Sequence, residues 1–142
     1  MKERVVILLV EDDVVDVMTV KRAFKELKVA NPLVVAANGE EALAYLRDEK
    51  NKNTGIILLD LNMPKMNGLE FLEVAKKDKA LKSIPVVVLT TSKEEQDKIR
   101  SFGLSVAGYM IKPIDYSQFV GVVRTINLYW TLSELPEVFY KR

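Results

Sequence analysis

Continuous apolar runs occupy Val5–Val10, Ile56–Leu59 and Val86–Leu89, and they are rich in β-branched residues. A strand with one wet face alternates apolar and polar positions. An unbroken apolar run is instead buried on both faces, as in a parallel sheet. Leu33–Ala36 and Tyr109–Ile111 are shorter and suit sheet edges. Between these runs the period becomes helical. Val17, Val20, Phe24 and Leu27 step by three, four and three, which makes one apolar stripe. Ala42, Leu43 and Leu46 mark a second helix after Asn38-Gly39, and Leu69, Leu72 and Ala75 a third after Asn67-Gly68. The fourth, about Lys93 to Phe102, is thin, with Ile99 and Phe102 as its only large apolar residues. The last starts near Tyr116 and carries Phe119, Val122, Val123, Ile126 and Trp130. Breakers at Asn31-Pro32, Gly55, Pro64, Pro85, Gly103, Gly108 and Pro113 fall between elements.

The pattern reads strand–helix five times. It predicts an α/β domain, a doubly wound five-stranded parallel sheet with right-handed crossovers and helices on both faces. Ligand sites in such sheets lie beyond the carboxyl ends of the strands, near the point where strand order reverses. The residues just after each run are therefore the candidates for chemistry. They are Glu11-Asp12-Asp13 after the first strand, Asp60-Leu61-Asn62-Met63-Pro64 at the third, Thr90-Thr91-Ser92 at the fourth and Lys112-Pro113 at the fifth.

Composition narrows what that rim can do. The 142 residues fit one compact domain, and 49% apolar with 29% charged residues is a globular balance. No Cys is present, which excludes disulfides, thiolate nucleophiles and Cys-ligated metals. No His is present, which excludes Ser-His-Asp triads, His-ligated metals and a phosphohistidine on this chain. An oxygen-only donor set favours Mg²⁺, Ca²⁺ or Mn²⁺ if a metal binds. The net charge of +1 and the interleaved Lys50–Lys52 and Lys76–Lys82 clusters give no basic stripe, so no nucleic-acid partner is expected. The longest apolar run has six residues, and the N-terminus carries an early acid and no long apolar region. Neither a membrane span nor a secretory signal is expected, and the expected location is the cytoplasm.

Carboxylates crowded at one rim repel unless a cation joins them. Asp12 and Asp60 suit direct ligation, and Glu11 suits holding a metal-bound water. A rim lysine such as Lys112 pairs with a carboxylate, and later with a phosphoryl oxygen, to which the Thr90 hydroxyl can also donate. Taken singly these residues have plainer roles. Asp13 suits an N-cap of the first helix, Ser92 an N-cap of the fourth, and Lys112-Pro113 a turn. Their convergence on one rim is what makes a site.

The ordered set resembles the receiver domain of two-component response regulators. The residues that carry the resemblance are Glu11-Asp12, Leu59-Asp60-Leu61-Asn62-Met63-Pro64 followed by Asn67-Gly68, then Thr90, and Gly108-Tyr109 leading to Lys112-Pro113. It covers about residues 5 to 127. The resemblance implies a flavodoxin-like (βα)5 fold with strand order 2-1-3-4-5. It also implies that Asp60 takes a phosphoryl group from a sensor histidine kinase in a Mg²⁺-dependent reaction. The metal would be held by Asp12, Asp60 and the backbone carbonyl of Asn62, with Glu11 as their acidic neighbour. Thr90 and Tyr109 would switch together, Lys112 would contact the phosphoryl group, and the Lys112–Pro113 peptide would be cis. The chain would be a signalling phosphoprotein rather than an enzyme, with at most slow self-phosphorylation and self-dephosphorylation.

Residues 1–127 thus read as a receiver and 128–142 as a C-terminal extension of the same unit. Leu128, Tyr129, Trp130, Leu132, Leu135, Phe139 and Tyr140 make that extension strongly apolar. With the Leu89-Thr-Thr-Ser92 stretch, its Trp130 to Leu135-Pro136 pattern is similar to stand-alone regulators that serve bacterial phytochromes. That similarity implies a bacteriophytochrome as the kinase and a dimer. The apolar tail residues left over from the core suggest a homodimer built on the fourth-strand-to-fifth-helix face and the tail, the alternative being a tail that folds back and caps its own domain. A phosphorelay intermediate that passes phosphate onward is an alternative role. Three competitors fit less well. A phosphohydrolase with an aspartate nucleophile wants a second acid where Asn62 stands. A flavodoxin-like FMN carrier wants a hydroxyl- and glycine-rich loop where Glu11-Asp12-Asp13 would repel the phosphate. An interaction module that is never phosphorylated does not need Asp12, Asp60, Thr90 and Lys112 together.

Overall fold

A computed structural model describes residues 5–124. The elements are β1 (Val6–Val10), α1 (Val14–Glu26), β2 (Leu33–Ala36), α2 (Gly39–Arg47), β3 (Thr54–Asp60), α3 (Gly68–Lys77), β4 (Val86–Thr90), α4 (Lys93–Ser101) and β5 (Gly108–Ile111). A last helix, α5, spans 116–124 within the described residues. The five strands form one parallel sheet in the order β2-β1-β3-β4-β5, as expected. Ile126 and the 128–142 extension lie outside the described residues.

The continuous apolar runs are buried because the pleat sends alternate residues into two different layers. Leu8, Val10, Ile57, Leu59, Val86 and Val88 pack with α2, α3 and α4. Ile7, Leu9, Ile56, Leu58, Val87 and Leu89 pack with α1 and α5. The second layer is tied by an edge-to-face contact of Phe24 with Phe119, whose ring centroids are 5.8 Å apart. The first is anchored by Phe71, fully buried on α3 beside the expected Leu72 and Ala75. The period of three hid Phe71, since α3 packs across a face wider than one stripe.

The helix ends follow from local chemistry. Asp13, Asn38, Asn67 and Ser92 are the N-caps of α1 to α4, each side chain accepting an amide three residues on. At Gly103, with φ +68°, a pair of hydrogen bonds ends α4: Gly103 N to Arg100 O and Leu104 N to Ile99 O. In α4 itself Ile99 is the buried residue, and Phe102 at its C-cap is 53% exposed. The expectation that Gly55 lies between elements is corrected. It sits inside β3, where the register with β1 passes from Val6–Thr54 to Ile7–Ile56. Gly55 is the extra residue of that bulge, a place where a missing side chain is tolerated. Gly108 likewise opens β5 rather than preceding it.

Candidate functional site

The strand ends bring Glu11, Asp60, Thr90 and Lys112 to the carboxyl rim of the sheet. Pleat parity decides which way each group turns. Asp60 follows Ile56 and Leu58 of the α1/α5 layer, and Glu11 follows Ile7 and Leu9 of the same layer. Both meet Lys112 Nζ, which lies 2.8 Å from Glu11 Oε1 and 3.1 Å from Asp60 Oδ1. The ammonium also reaches Asp16 Oδ2 at 3.1 Å, from the first turn of α1. The Lys112–Pro113 peptide is cis, as the resemblance implied.

These charges are largely out of water. Glu11 is 1% and Asp60 2% exposed, whereas Asp12 beside them is exposed. Burial would lower the Lys112 pKa, but the Glu11, Asp16 and Asp60 carboxylates more than reverse that and hold it raised. Glu11 is pushed up to about 7, first by burial and then by the neighbouring charge of Asp60, against the pull of Lys112. The two shifts pull in opposite senses across one contact. The ammonium is the secure charge, because three carboxylates surround it. The rise at Glu11 marks chiefly its burial, to which the neighbouring charge of Asp60 adds.

One carboxylate oxygen each from Glu11, Asp12 and Asp60 lies within 4.8 Å of the others. Glu11 Oε1 and Asp60 Oδ1 are fully buried, and the Lys112 ammonium that they share with Asp16 is the cation the described residues set against them. Buried carboxylates that outnumber their cation are what a further cation relieves. The donors are hard oxygens, so the residues present fit a divalent cation of the Mg²⁺ or Mn²⁺ kind.

Thr90 has the parity of Val86 and Val88 and so faces the α4 layer. It is fully buried. Its hydroxyl is 2.6 Å from Glu95 Oε1 and 2.9 Å from Ser92 O. Asn62, exposed two residues past Asp60, donates from Nδ2 to Glu95 Oε2 at 2.9 Å. Burial would raise the Glu95 pKa, but the hydrogen bonds from Thr90, Thr91 and Asn62 outweigh it and hold the carboxyl below its usual range. Tyr109 pairs in register with Val88, lies half-buried on that same face, and carries the Arg100 guanidinium 5.5 Å from its ring centroid.

The expected residues therefore divide into two groups. Glu11, Asp12, Asp60 and Lys112 converge, while Thr90, Asn62 and Tyr109 face α4. Sequence reasoning missed Asp16 and Glu95. Each had a local signal: Asp16 stands three residues past the N-cap Asp13, and Glu95 three past the N-cap Ser92. Both therefore fall in a helical first turn at the rim.

The chain is similar to several response regulators. Response regulator Rcp1 of Synechocystis sp. is 39% identical over 129 residues, covering 88% of this chain and 88% of that protein. A solved Mn²⁺-bound form of Rcp1 superposes with a TM-score of 0.70, covering 88% of this chain and 93% of the other at 39% identity. The bacteriophytochrome response regulator RtBRR gives a TM-score of 0.79 at 40% identity, over 87% of this chain and 78% of that one. The phosphorylated cyanobacterial phytochrome response regulator RcpA gives 0.72 at 40% identity, over 90% and 94%. No helix among the described residues is long and apolar enough to cross a membrane. The family model for the response regulator receiver domain matches residues 7–124, nearly all of the described chain, and this protein belongs to that family.

Proposed function

We propose that Asp60 accepts a phosphoryl group from a sensor histidine kinase and that the resulting change at the rim is the signal. One observation carries this reading. Two buried carboxylates, Glu11 and Asp60, share a single lysine, which a third acid, Asp16, also holds. A pair of acids is held there at a cost that no packing role explains.

In the transfer, an Asp60 carboxylate oxygen forms a bond to phosphorus while the phosphorus–nitrogen bond to the kinase histidine breaks. Phosphoryl transfer needs positioning and charge neutralisation more than covalent machinery. β3 holds Asp60 rigidly, and Lys112 moves part of its charge from the carboxylates to the incoming oxygens. Glu11, Asp12, Asp60 and the Asn62 carbonyl would hold a Mg²⁺ ion, which supplies further neutralisation of the phosphoryl oxygens. Thr90 and Tyr109 carry the response towards α4. The chain works as a phosphoprotein switch, with self-phosphorylation from small donors as a slow side reaction.

The phytochrome response regulators among the relatives support a bacteriophytochrome as the kinase, and the reading places the chain in the cytoplasm. Val14, Val15 and Met18 form an exposed apolar face on α1 beside the rim, suited to receiving the kinase. Exposed Phe102 and Ile111 support homodimer formation through the β4-to-α5 face. Residues 1–127 would then be the receiver and 128–142 an extension that completes the pairing. Light scattering on the full chain and on a chain ending at Asn127 tests the dimer. A full chain that stays monomeric with and without beryllofluoride removes it.

The test of the transfer is intact-mass measurement after incubation with acetyl phosphate. The wild type should gain one phosphoryl group with Mg²⁺ and none with a chelator, and Asp60→Asn should gain none. Equal labelling of Asp60→Asn contradicts the assignment.

A further inference from the structure

Glu95 takes no part in the transfer just described, yet it draws the rim's hydroxyl and amide donors to itself. Its Oε1 accepts from Thr90 Oγ1 at 2.6 Å, Thr91 N at 2.9 Å and Thr91 Oγ1 at 3.3 Å. Its Oε2 accepts from Asn62 Nδ2 at 2.9 Å. One carboxylate in the first turn of α4 thus gathers the end of β4, the loop that follows and the loop after β3. No ion pair to Glu95 occurs among the described residues, so hydrogen-bond donors alone hold it.

A comparison within the chain brings out how this acid is used. Asn67 and Glu70, at the N-terminus of α3, have the spacing of a capping box and make both of its bonds. Ser92 and Glu95 have the same spacing at α4. There the amide of Glu95 does donate to Ser92 Oγ, but the amide of Ser92 donates to Thr90 Oγ1. The Glu95 carboxylate is diverted from the helix end to Thr90.

We propose that Glu95 is a positioning residue that holds the resting arrangement, a catch on the Thr90 hydroxyl that phosphorylation must release. The inference rests on Asp60 being the phosphoacceptor. A threonine hydroxyl has one proton. It cannot donate to Glu95 and to a phosphoryl oxygen at the same time. A phosphoryl group adds about 1.5 to 2 negative charges and three strong acceptors at Asp60. It competes for that one proton and also repels the carboxylate that holds it. Once Thr90 turns, Glu95 keeps Thr91 and Asn62 but loses its shortest bond. α4 buries only Ile99, so little packing resists a shift of its N-terminus. Glu95 thereby links the state of Asp60 to the position of α4.

The test uses the full chain with Mg²⁺ and beryllofluoride as the phosphoryl mimic, read by amide NMR. Glu95→Ala, before any beryllofluoride is added, should move the Thr91 and Ser92 amides along the direction that beryllofluoride produces in the wild type. Its beryllofluoride affinity should rise about tenfold, the value of one charge-assisted hydrogen bond. Glu95→Gln keeps the size, removes the charge and should shift in the same direction by less. Glu94→Ala removes an exposed acid from the same helical turn and should behave as wild type. In a Thr90→Ala background, Glu95→Ala should add nothing to the beryllofluoride affinity, because that gain runs through the Thr90–Glu95 bond. Resting amides and unchanged affinity in both Glu95 variants overturn the proposal. So does an equal effect of Glu94→Ala, or a gain that persists without Thr90. A wild type that binds no beryllofluoride with Mg²⁺ instead removes the assignment of Asp60, and the catch with it.

Discussion

A β-carbon placed on Gly68 would lie 2.3 Å from the carbonyl oxygen of Asp60. It would also lie 2.7 Å from Leu61 Cα, so the obstruction is backbone that cannot swing aside. The start of α3 is thus pressed against the end of β3, and the Gly68 amide donates to Leu61 O at 3.1 Å. The close approach fixes the peptide that carries the Asp60 side chain. Gly68→Ala should cost about 1–3 kcal/mol in unfolding free energy. It should also lower labelling of Asp60 by acetyl phosphate while circular dichroism stays native. Unchanged stability and labelling would show that the approach has no mechanical role.

Lys112 is expected to matter to stability as well as to transfer. Its removal leaves Glu11 and Asp60 buried without a cation, and breaking a buried pair in this way typically costs about 3–5 kcal/mol. Lys112→Ala should therefore melt well below the wild type in chelator. Mg²⁺ should restore more stability to the variant than to the wild type, since a ligand that binds only the folded state stabilises it. Thermal unfolding with and without Mg²⁺ decides this, and equal Mg²⁺ gains in both proteins would count against it.

Thr90 should separate transfer from response. Thr90→Ala removes the hydroxyl that donates to Glu95, an expected loss of about 1 kcal/mol, and Thr90→Ser should regain most of it. Both should still label at Asp60, because Lys112 and the acids remain in place. Beryllofluoride-dependent amide shifts in the β4–α4 region should shrink in Thr90→Ala and survive in Thr90→Ser. A full response in Thr90→Ala would remove Thr90 from the switch.

The sheet and the acid–lysine core of the site were legible in the sequence for a physical reason. Ile56 to Leu59 and Val86 to Leu89 are apolar at every position because both faces are covered, and strand ends in such sheets converge on one rim. The position of Gly55 was not legible, since a bulge in β3 depends on the register of β1 across the sheet. Nor was the role of Asp16 or Glu95. Each sits where a helix start needs an acid, and the helix dipole alone accounts for it. That Asp16 meets Lys112 and Glu95 meets Thr90 depends on how α1 and α4 pack on the sheet, which no local period encodes. Phe71 was hidden for a related reason: a stripe drawn through Leu69, Leu72 and Ala75 passes it by, although it lies at the centre of the α3 face.

Asp60 itself should carry the phosphoryl group. An acyl phosphate is reduced by borohydride where a free carboxylate is not, and the carbon left behind makes the residue homoserine. Wild-type protein labelled with acetyl phosphate and Mg²⁺, then reduced and sequenced by tandem mass spectrometry, should show homoserine at position 60, with Glu11, Asp12, Asp13 and Asp16 unchanged. The same sample prepared in chelator should show none. Homoserine at any other acidic position, or labelling without conversion at position 60, would contradict the account.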